Sequence, residues 1–169
     1  MNKLKKRRKG FTLIEMVVVI AIVVIIAAIA IPQALKAINK SKASTDFANA
    51  RTYAGQIMSR AANNDITLGA TTASDVALVK DSVTELSGTK ATGLIGVEIS
   101  DVKLKSGDKF YALYTTDKNG NDKVSIAIGS TTKLPTVDKT SGILSGEVYP
   151  NVDSKSEYAK YVTSTGQTE

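Results

Sequence analysis

From Phe11 to Ile31 the chain reads FTLIEMVVVIAIVVIIAAIAI, twenty-one residues in which Glu15 is the one ionisable side chain. As a helix this run spans about 31 Å, close to the hydrocarbon thickness of a bilayer, so it is long enough to cross a membrane once. Lys3, Lys5, Lys6, Arg7, Arg8 and Lys9 precede it with no acid among them. That flank predicts a cytoplasmic N-terminus and places everything after Pro32 outside. The same six cations account for the whole formal charge of +6, because the remainder carries sixteen Lys and Arg against sixteen Asp and Glu. The basic balance therefore belongs to a leader and argues for no specific nucleic-acid partner.

Past Pro32 the apolar run stops but helical spacing continues. Ala43, Phe47, Ala50, Ala54, Ile57 and Ala61 recur at intervals of four and three, which puts them on one face of a helix. Lys42, Ser44, Asn49, Arg51 and Arg60 fall on the other side, and Asn63, Asn64 and Asp65 end the pattern. One helix of about 53 residues is predicted, with Pro32 bending it where the ring removes a backbone donor. The apolar stripe is the face expected to be covered by the chain's own sheet.

Beyond residue 65 the composition shifts to Ser, Thr, Gly and Asp, marking a separate head of about a hundred residues, enough for one compact domain. Val76, Val79, Val83 and Leu86 suggest a helix over Ala73–Leu86, capped by Thr72 or Ser74 and stopped by Gly88. Strands are expected over Val97–Leu104, with a bulge near Asp101, over Phe110–Thr116 and over Lys123–Ile128. Asn119-Gly120 would turn the last two into a hairpin. The tail from Thr131 reads as irregular until Ser154 and Glu157, a capping-box spacing that would open a short helix carrying Tyr158 and Tyr161.

Gly10 lies between the basic leader and the apolar helix, where a bond without a side chain on its N-terminal side is open to a membrane-face protease. Glu15 is the costly residue: a carboxylate at the bilayer centre costs at least ~2.5 kcal/mol, and such groups are usually retained for a partner. A cut after Gly10 would give Phe11 a free amine four residues from Glu15. Pairing of that amine with Glu15 of a neighbouring subunit would neutralise both charges and select one axial stagger of helix on helix.

Gly10-Phe11-Thr12-Leu13-Ile14-Glu15, after a short basic leader and before an apolar run ending at Pro32, resembles the type IV pilins and their class III signal peptide. The resemblance implies cleavage between Gly10 and Phe11 by a prepilin peptidase and N-methylation of Phe11. It also implies subunit assembly through Glu15 and the Phe11 amine, and an α+β fold in which a long N-terminal helix packs on a small antiparallel sheet. The implied partners are copies of the same chain in a helical filament, the prepilin peptidase, the assembly machinery and, before assembly, the cytoplasmic membrane. The implied domains are a cleaved leader at 1–10, a membrane and filament-core helix at 11–32, its amphipathic continuation at 33–64 and a globular head at 65–169. The absence of the C-terminal disulfide common in Gram-negative pilins points to a Gram-positive type. The function implied is a surface pilus for twitching motility, adhesion or biofilm formation; the alternative is a pseudopilin of type II secretion or a subunit of a DNA-uptake pilus.

The chain has neither His nor Cys, so imidazole and thiol chemistry and disulfides are excluded, and no nucleophile motif suggests an enzyme. No cofactor or metal is expected. Asp117–Asp122 starts like a calcium loop but lacks Gly at the sixth place and has Ile128 where the bidentate Glu belongs, so a polar turn is expected there. A secretory signal cut at Ala28-Ile29-Ala30 is opposed by Glu15 and by the stripe that runs past the cut. A simple membrane anchor explains the span and leaves Glu15 without a reason. Tyr111, Tyr114, Tyr149, Tyr158 and Tyr161 are expected to be half-buried sheet and tail residues rather than an adhesive surface.

Overall fold

The computed structural model describes residues 10–116, 119–138 and 144–162. The basic leader up to Lys9 and the first two residues of the Asp117–Asp122 segment, both expectations above, lie outside them. The chain divides into two compact units, Met1–Asn39 and Lys40–Glu169. One helix, α1 (Leu13–Ala62), contributes to both and continues through Pro32. In the first unit its large apolar side chains are exposed throughout, Leu13 at 82% and Ile31 at 57%.

In the second unit α1 is followed by β1 (Thr67–Ala70), β2 (Ala77–Val79), β3 (Val83–Glu85), α2 (Gly88–Ile95), β4 (Lys109–Thr116), β5 (Asp122–Gly129), β6 (Glu147–Tyr149) and α3 (Ala159–Val162). The main sheet has the order β3-β4-β5-β6, all antiparallel, and β1 pairs with β2 in a small parallel sheet. Its centre is the β4–β5 pair, where Phe110 faces Ile128, Ala112 faces Ile126 and Tyr114 faces Val124. Because side chains alternate along a strand, these three pairs share one face, and they pack with Ala43, Ala50, Ala54 and Ile57 of α1 in a single core. Tyr53 meets Phe110 edge-on at 5.2 Å between ring centres, an arrangement favoured by the quadrupoles of the two rings. The other face carries Leu113 and Ala127, covered by Leu144 with Val83 and Val137. The long helix on a small antiparallel sheet is the expected α+β arrangement.

Three expectations for the head fail, each for a local reason. The stretch from Ala73 to Leu86 is not helical: it supplies β2 and β3, with Asp81 at φ 57 between them. Its valines are β-branched and suit strands: the backbone around Val76 and Val79 pairs with β1, and that of Val83–Glu85 with β4, where the Leu86 N–H also bonds to Phe110 O. The helix comes one step later, as α2, so Gly88 opens it, and Gly96, left-handed at φ 82, ends it. Gly93 inside α2 is required for another reason, since a Cβ there would collide with the Asp75 carbonyl that packs on it.

Val97–Leu104 is not a strand, and there is no bulge at Asp101. Its backbone donors go to α1 side chains instead: Ser100 N–H to Tyr53 Oη (2.9 Å), Lys103 N–H to Asp46 Oδ1 (2.8 Å) and Leu104 N–H to Asp46 Oδ2 (2.9 Å). Ser154 does not cap the last helix. Asp153 organises that turn, taking the N–H groups of Gly146 and Lys155, both at 2.9 Å, and α3 starts only at Ala159. Tyr161 lies on α3 and Tyr158 just ahead of it, and β6 was not anticipated in the tail. The β4–β5 connection runs from Thr116 to Asp122, the last paired residues, so it is longer than a two-residue turn at Asn119-Gly120.

Candidate functional site: the start of the long helix

Gly10, Phe11 and Thr12 precede α1 in non-helical conformation, and Phe11 is 77% exposed. The peptide bond after Gly10 is thus accessible and unprotected by secondary structure. Helix formation begins at Leu13 because Thr12 and Glu15 close a reciprocal cap. Glu15 N–H donates to Thr12 Oγ1 (3.3 Å), while Thr12 N–H and Thr12 Oγ1–H donate to Glu15 Oε2 at 2.7 and 2.8 Å. This satisfies two of the backbone donors that a helix leaves unpaired at its first turn, and it sets a carboxylate against the positive end of the helix dipole. The signature is legible as Thr-x-x-Glu ahead of an apolar run, a role for Glu15 beside the cost and the subunit pairing expected of it. With the cap, Glu15 has a local role in the single chain, three residues from its partner.

From Leu13 to Ile31 the large apolar side chains of α1 are exposed. α1 is long and apolar enough to cross a membrane, and none of its most apolar window is buried. Residues 5–31 match a known family, the prokaryotic N-terminal methylation motif, which is the class III signal peptide of type IV pilins. This motif supports a type IV pilin-like prepilin. No curated protein and no solved structure matches it. The motif implies processing by a prepilin peptidase and pilus assembly, and with the apolar helix it supports membrane anchoring before assembly. It ends at Ile31 and does not extend into the head.

In the head the unforeseen residue is Asp46. It lies on the apolar face of α1, is fully buried, and accepts the two amide bonds from Lys103 and Leu104 and a third from Tyr158 Oη–H (2.9 Å). Burial, and then the Asp46 carboxylate beside it, push the Tyr158 hydroxyl above the ordinary tyrosine range. Phe47 seats the same ring edge-on at 5.6 Å. One carboxylate thus ties α1 to the 100–104 segment and to the tail in this chain without disulfides. A second buried carboxylate, Glu147, accepts from Leu144 N–H (3.0 Å) and Ser125 Oγ–H (3.3 Å), with Lys123 Nζ at 3.9 Å.

Of the five head tyrosines, Tyr111, Tyr114 and Tyr158 are buried and Tyr149 and Tyr161 half-buried, so they form no exposed patch. Tyr114 Oη–H donates to Asp122 at 2.6 Å, which fixes the last residue of the Asp117–Asp122 segment as a turn partner. An open cavity of about 740 Å³ lies between α2 and residues 98–102, lined among others by Ser87, Thr89, Glu98, Asp101 and Asp108. Among the described residues no group of three Asp or Glu side chains is placed to hold a metal.

Proposed function

We propose that this chain is the repeating structural subunit of a type IV pilus. A prepilin peptidase cuts between Gly10 and Phe11, the new Phe11 amine is methylated, and Glu15 pairs with that amine on a neighbouring copy. The leader at 1–10 is discarded, the helix over 11–32 enters the filament core, the stretch 33–64 continues it with a bend at Pro32, and the head at 65–169 faces outward. The subunit waits in the cytoplasmic membrane and ends in an extracellular filament that serves twitching motility, adhesion or biofilm formation. It carries no catalytic residue or cofactor; force for extension comes from other proteins.

The observation that carries this reading is the uncovered helix itself: a run of large apolar side chains from Leu13 to Ile31 beginning at a capped carboxylate. Lipid before assembly and other copies after it supply the missing cover. The test is Glu15→Ala in cells producing the chain. Membrane insertion should persist, because the substitution removes a cost, while filaments sheared from the surface disappear. Normal filaments from Glu15→Ala subunits would refute the assembly role. The mature mass decides the processing, with N-methyl-Phe11 expected as the first residue.

A further inference from the structure

Past the end of β5 the chain folds back on itself. A Cβ on Gly129 would collide with the Pro135 ring, and one on Gly146, at the entry to β6, would collide with the Ile128 carbonyl, so both loops lie tight against the strand. Between these loops and the 153–158 segment is an open cavity of about 380 Å³, which lies wholly within the second compact unit. We propose that this cavity binds a single anionic sugar unit, one bearing a carboxylate or a phosphate; the proposal deepens the adhesive reading above and rests on it for what binding achieves in a filament.

Charge selects an anion. Three carboxylates border the cavity, and each is already engaged: Asp108 by Lys105 Nζ (3.9 Å), Asp153 by the amides of Gly146 and Lys155 (both 2.9 Å) and Glu157 by Lys160 Nζ (3.0 Å). Lys133 and Lys155 stand exposed at the rim, and among the described residues neither ammonium has an ion-pair partner. Two such ammoniums beside carboxylates that are occupied elsewhere draw an anion in and give it charged donors.

Polarity and size select a sugar. Ser156 Oγ, in a residue of the cavity wall, is excluded from water and has no hydrogen-bond partner among the described residues. An unpaired buried hydroxyl costs stability, and a ligand hydroxyl pressed against that wall supplies the partner the chain does not. Leu134, 56% exposed beside the buried Pro135, offers apolar surface to the C–H face of a ring. The volume is near the small end of the roughly 300–1,000 Å³ of ligand clefts, which suits one sugar unit and not a folded peptide segment. Exposed ion pairs are weak, so a single site should hold its ligand with a Kd on the order of 1–10 mM. Repeated along a filament, such sites engage successive units of an acidic polysaccharide together, and effective concentration then sets the strength of the hold.

The experiment uses the full chain in non-ionic detergent, the backbone amide NMR shifts of Gly129 and Gly146 as local readout, and glucuronic acid, glucose 6-phosphate, glucose and acetate as probes. Glucuronic acid or glucose 6-phosphate should shift both amides, the tighter of the two telling carboxylate from phosphate, while glucose and acetate bind at least about tenfold more weakly. Lys133→Gln and Lys155→Gln should each weaken the acidic sugar about fivefold, whereas Lys90→Gln, which removes the same charge from α2, should change nothing. Ser156→Ala should weaken the sugar about threefold and leave both acetate binding and the melting temperature as they are, because the hydroxyl it deletes bonds to nothing in the chain. No shift from either acidic sugar at about 100 mM, or an equal loss in Lys90→Gln, overturns the site; acetate binding as tight as the sugar reduces it to charge alone and overturns the sugar. A solubilised chain that binds while cells make no filaments keeps the site and overturns the pilus reading, and filaments without binding do the reverse.

Discussion

Replacing Asp46 by Ala removes one acceptor group and strands three donors, the amides of Lys103 and Leu104 and the hydroxyl of Tyr158, in a site from which Asp46 itself is fully excluded from water. A buried donor left unpaired costs about 1–3 kcal/mol, but the 100–104 segment can relax toward solvent, so the loss should fall near 3–5 kcal/mol rather than at the sum of three full penalties. Against a total stability of about 5–15 kcal/mol this is a large fraction. At about 3–4 °C per kcal/mol for a domain of this size, the melting temperature should fall by roughly 10–20 °C. The assay is thermal melting of the detergent-solubilised chain followed by near-ultraviolet circular dichroism, which reports the tyrosines packed in the head and not the apolar helix. Tyr158→Phe, which deletes one of the three donors and keeps the ring against Phe47, should cost only about 1 kcal/mol. An Asp46→Ala chain that melts within a degree or two of wild type refutes the idea that this carboxylate ties α1 to the 100–104 segment and the tail. So does a Tyr158→Phe chain that loses as much as Asp46→Ala, since the amide bonds would then contribute nothing.

The raised Tyr158, Tyr111 and Tyr114 hydroxyls set the alkaline behaviour. Their protonated forms are held in the folded chain above the unfolded value of about 10, so their contribution is complete below pH ~10 and is lost as pH rises beyond it. Denaturant midpoints measured from neutral pH upward should decline there, and Tyr158→Phe should flatten the decline; an unchanged slope contradicts the assignment to that hydroxyl. At Gly93, helix propensity alone favours Ala by about 1 kcal/mol, but the Asp75 carbonyl occupies the space of the new Cβ. Overpacking of this kind costs about 1–3 kcal/mol, so Gly93→Ala should lower the melting temperature, and a rise would mean the 71–76 loop does not pack there.

How much of this was legible depended on where each element finds its partners. The helix α1 and the strands β4 and β5 were legible because their signal is periodic and repeated: six stripe positions on the helix, and apolar runs at Phe110–Tyr114 and Val124–Ile128 bounded by turn residues. Val76, Val79 and Val83 show the limit, since spacings of three and four in a β-branched run suit a helix face and a pair of short strands equally, and the decision comes from their partners, β1 for the first strand and β4, about thirty residues away, for the second. The irregularity near Asp101, expected as a bulge, was a true signal given the wrong meaning. It marked a segment whose amides leave the sheet for Asp46 and Tyr53. At the site, Gly10, Phe11 and Glu15 stand together in sequence and were readable, and so was the Thr12–Glu15 cap. Asp46 and Tyr158 are 112 residues apart and have no shared local pattern, so only the fold brings them together.

Two carboxylates on one apolar helix therefore reach opposite conditions, and the contrast bears on what Glu15 does. Asp46 has its donors supplied from distant parts of its own chain and is complete in a single copy. Glu15 has Thr12, three residues away, and remains exposed. Around it fifteen large apolar side chains from Phe11 to Ile31 are also exposed. Covering them is worth on the order of 20 kcal/mol, comparable with or above the whole stability of an ordinary domain. Against that, the ~2.5 kcal/mol cost of one carboxylate in the apolar layer does not decide whether the helix is covered. What a charge of that cost can decide is position. In lipid it holds the first turn near the headgroups, and in a bundle of identical helices it penalises every stagger that leaves it without a cation. A carboxylate too weak to prevent burial is strong enough, at about a factor of seventy in population for 2.5 kcal/mol, to choose among burials that are otherwise alike.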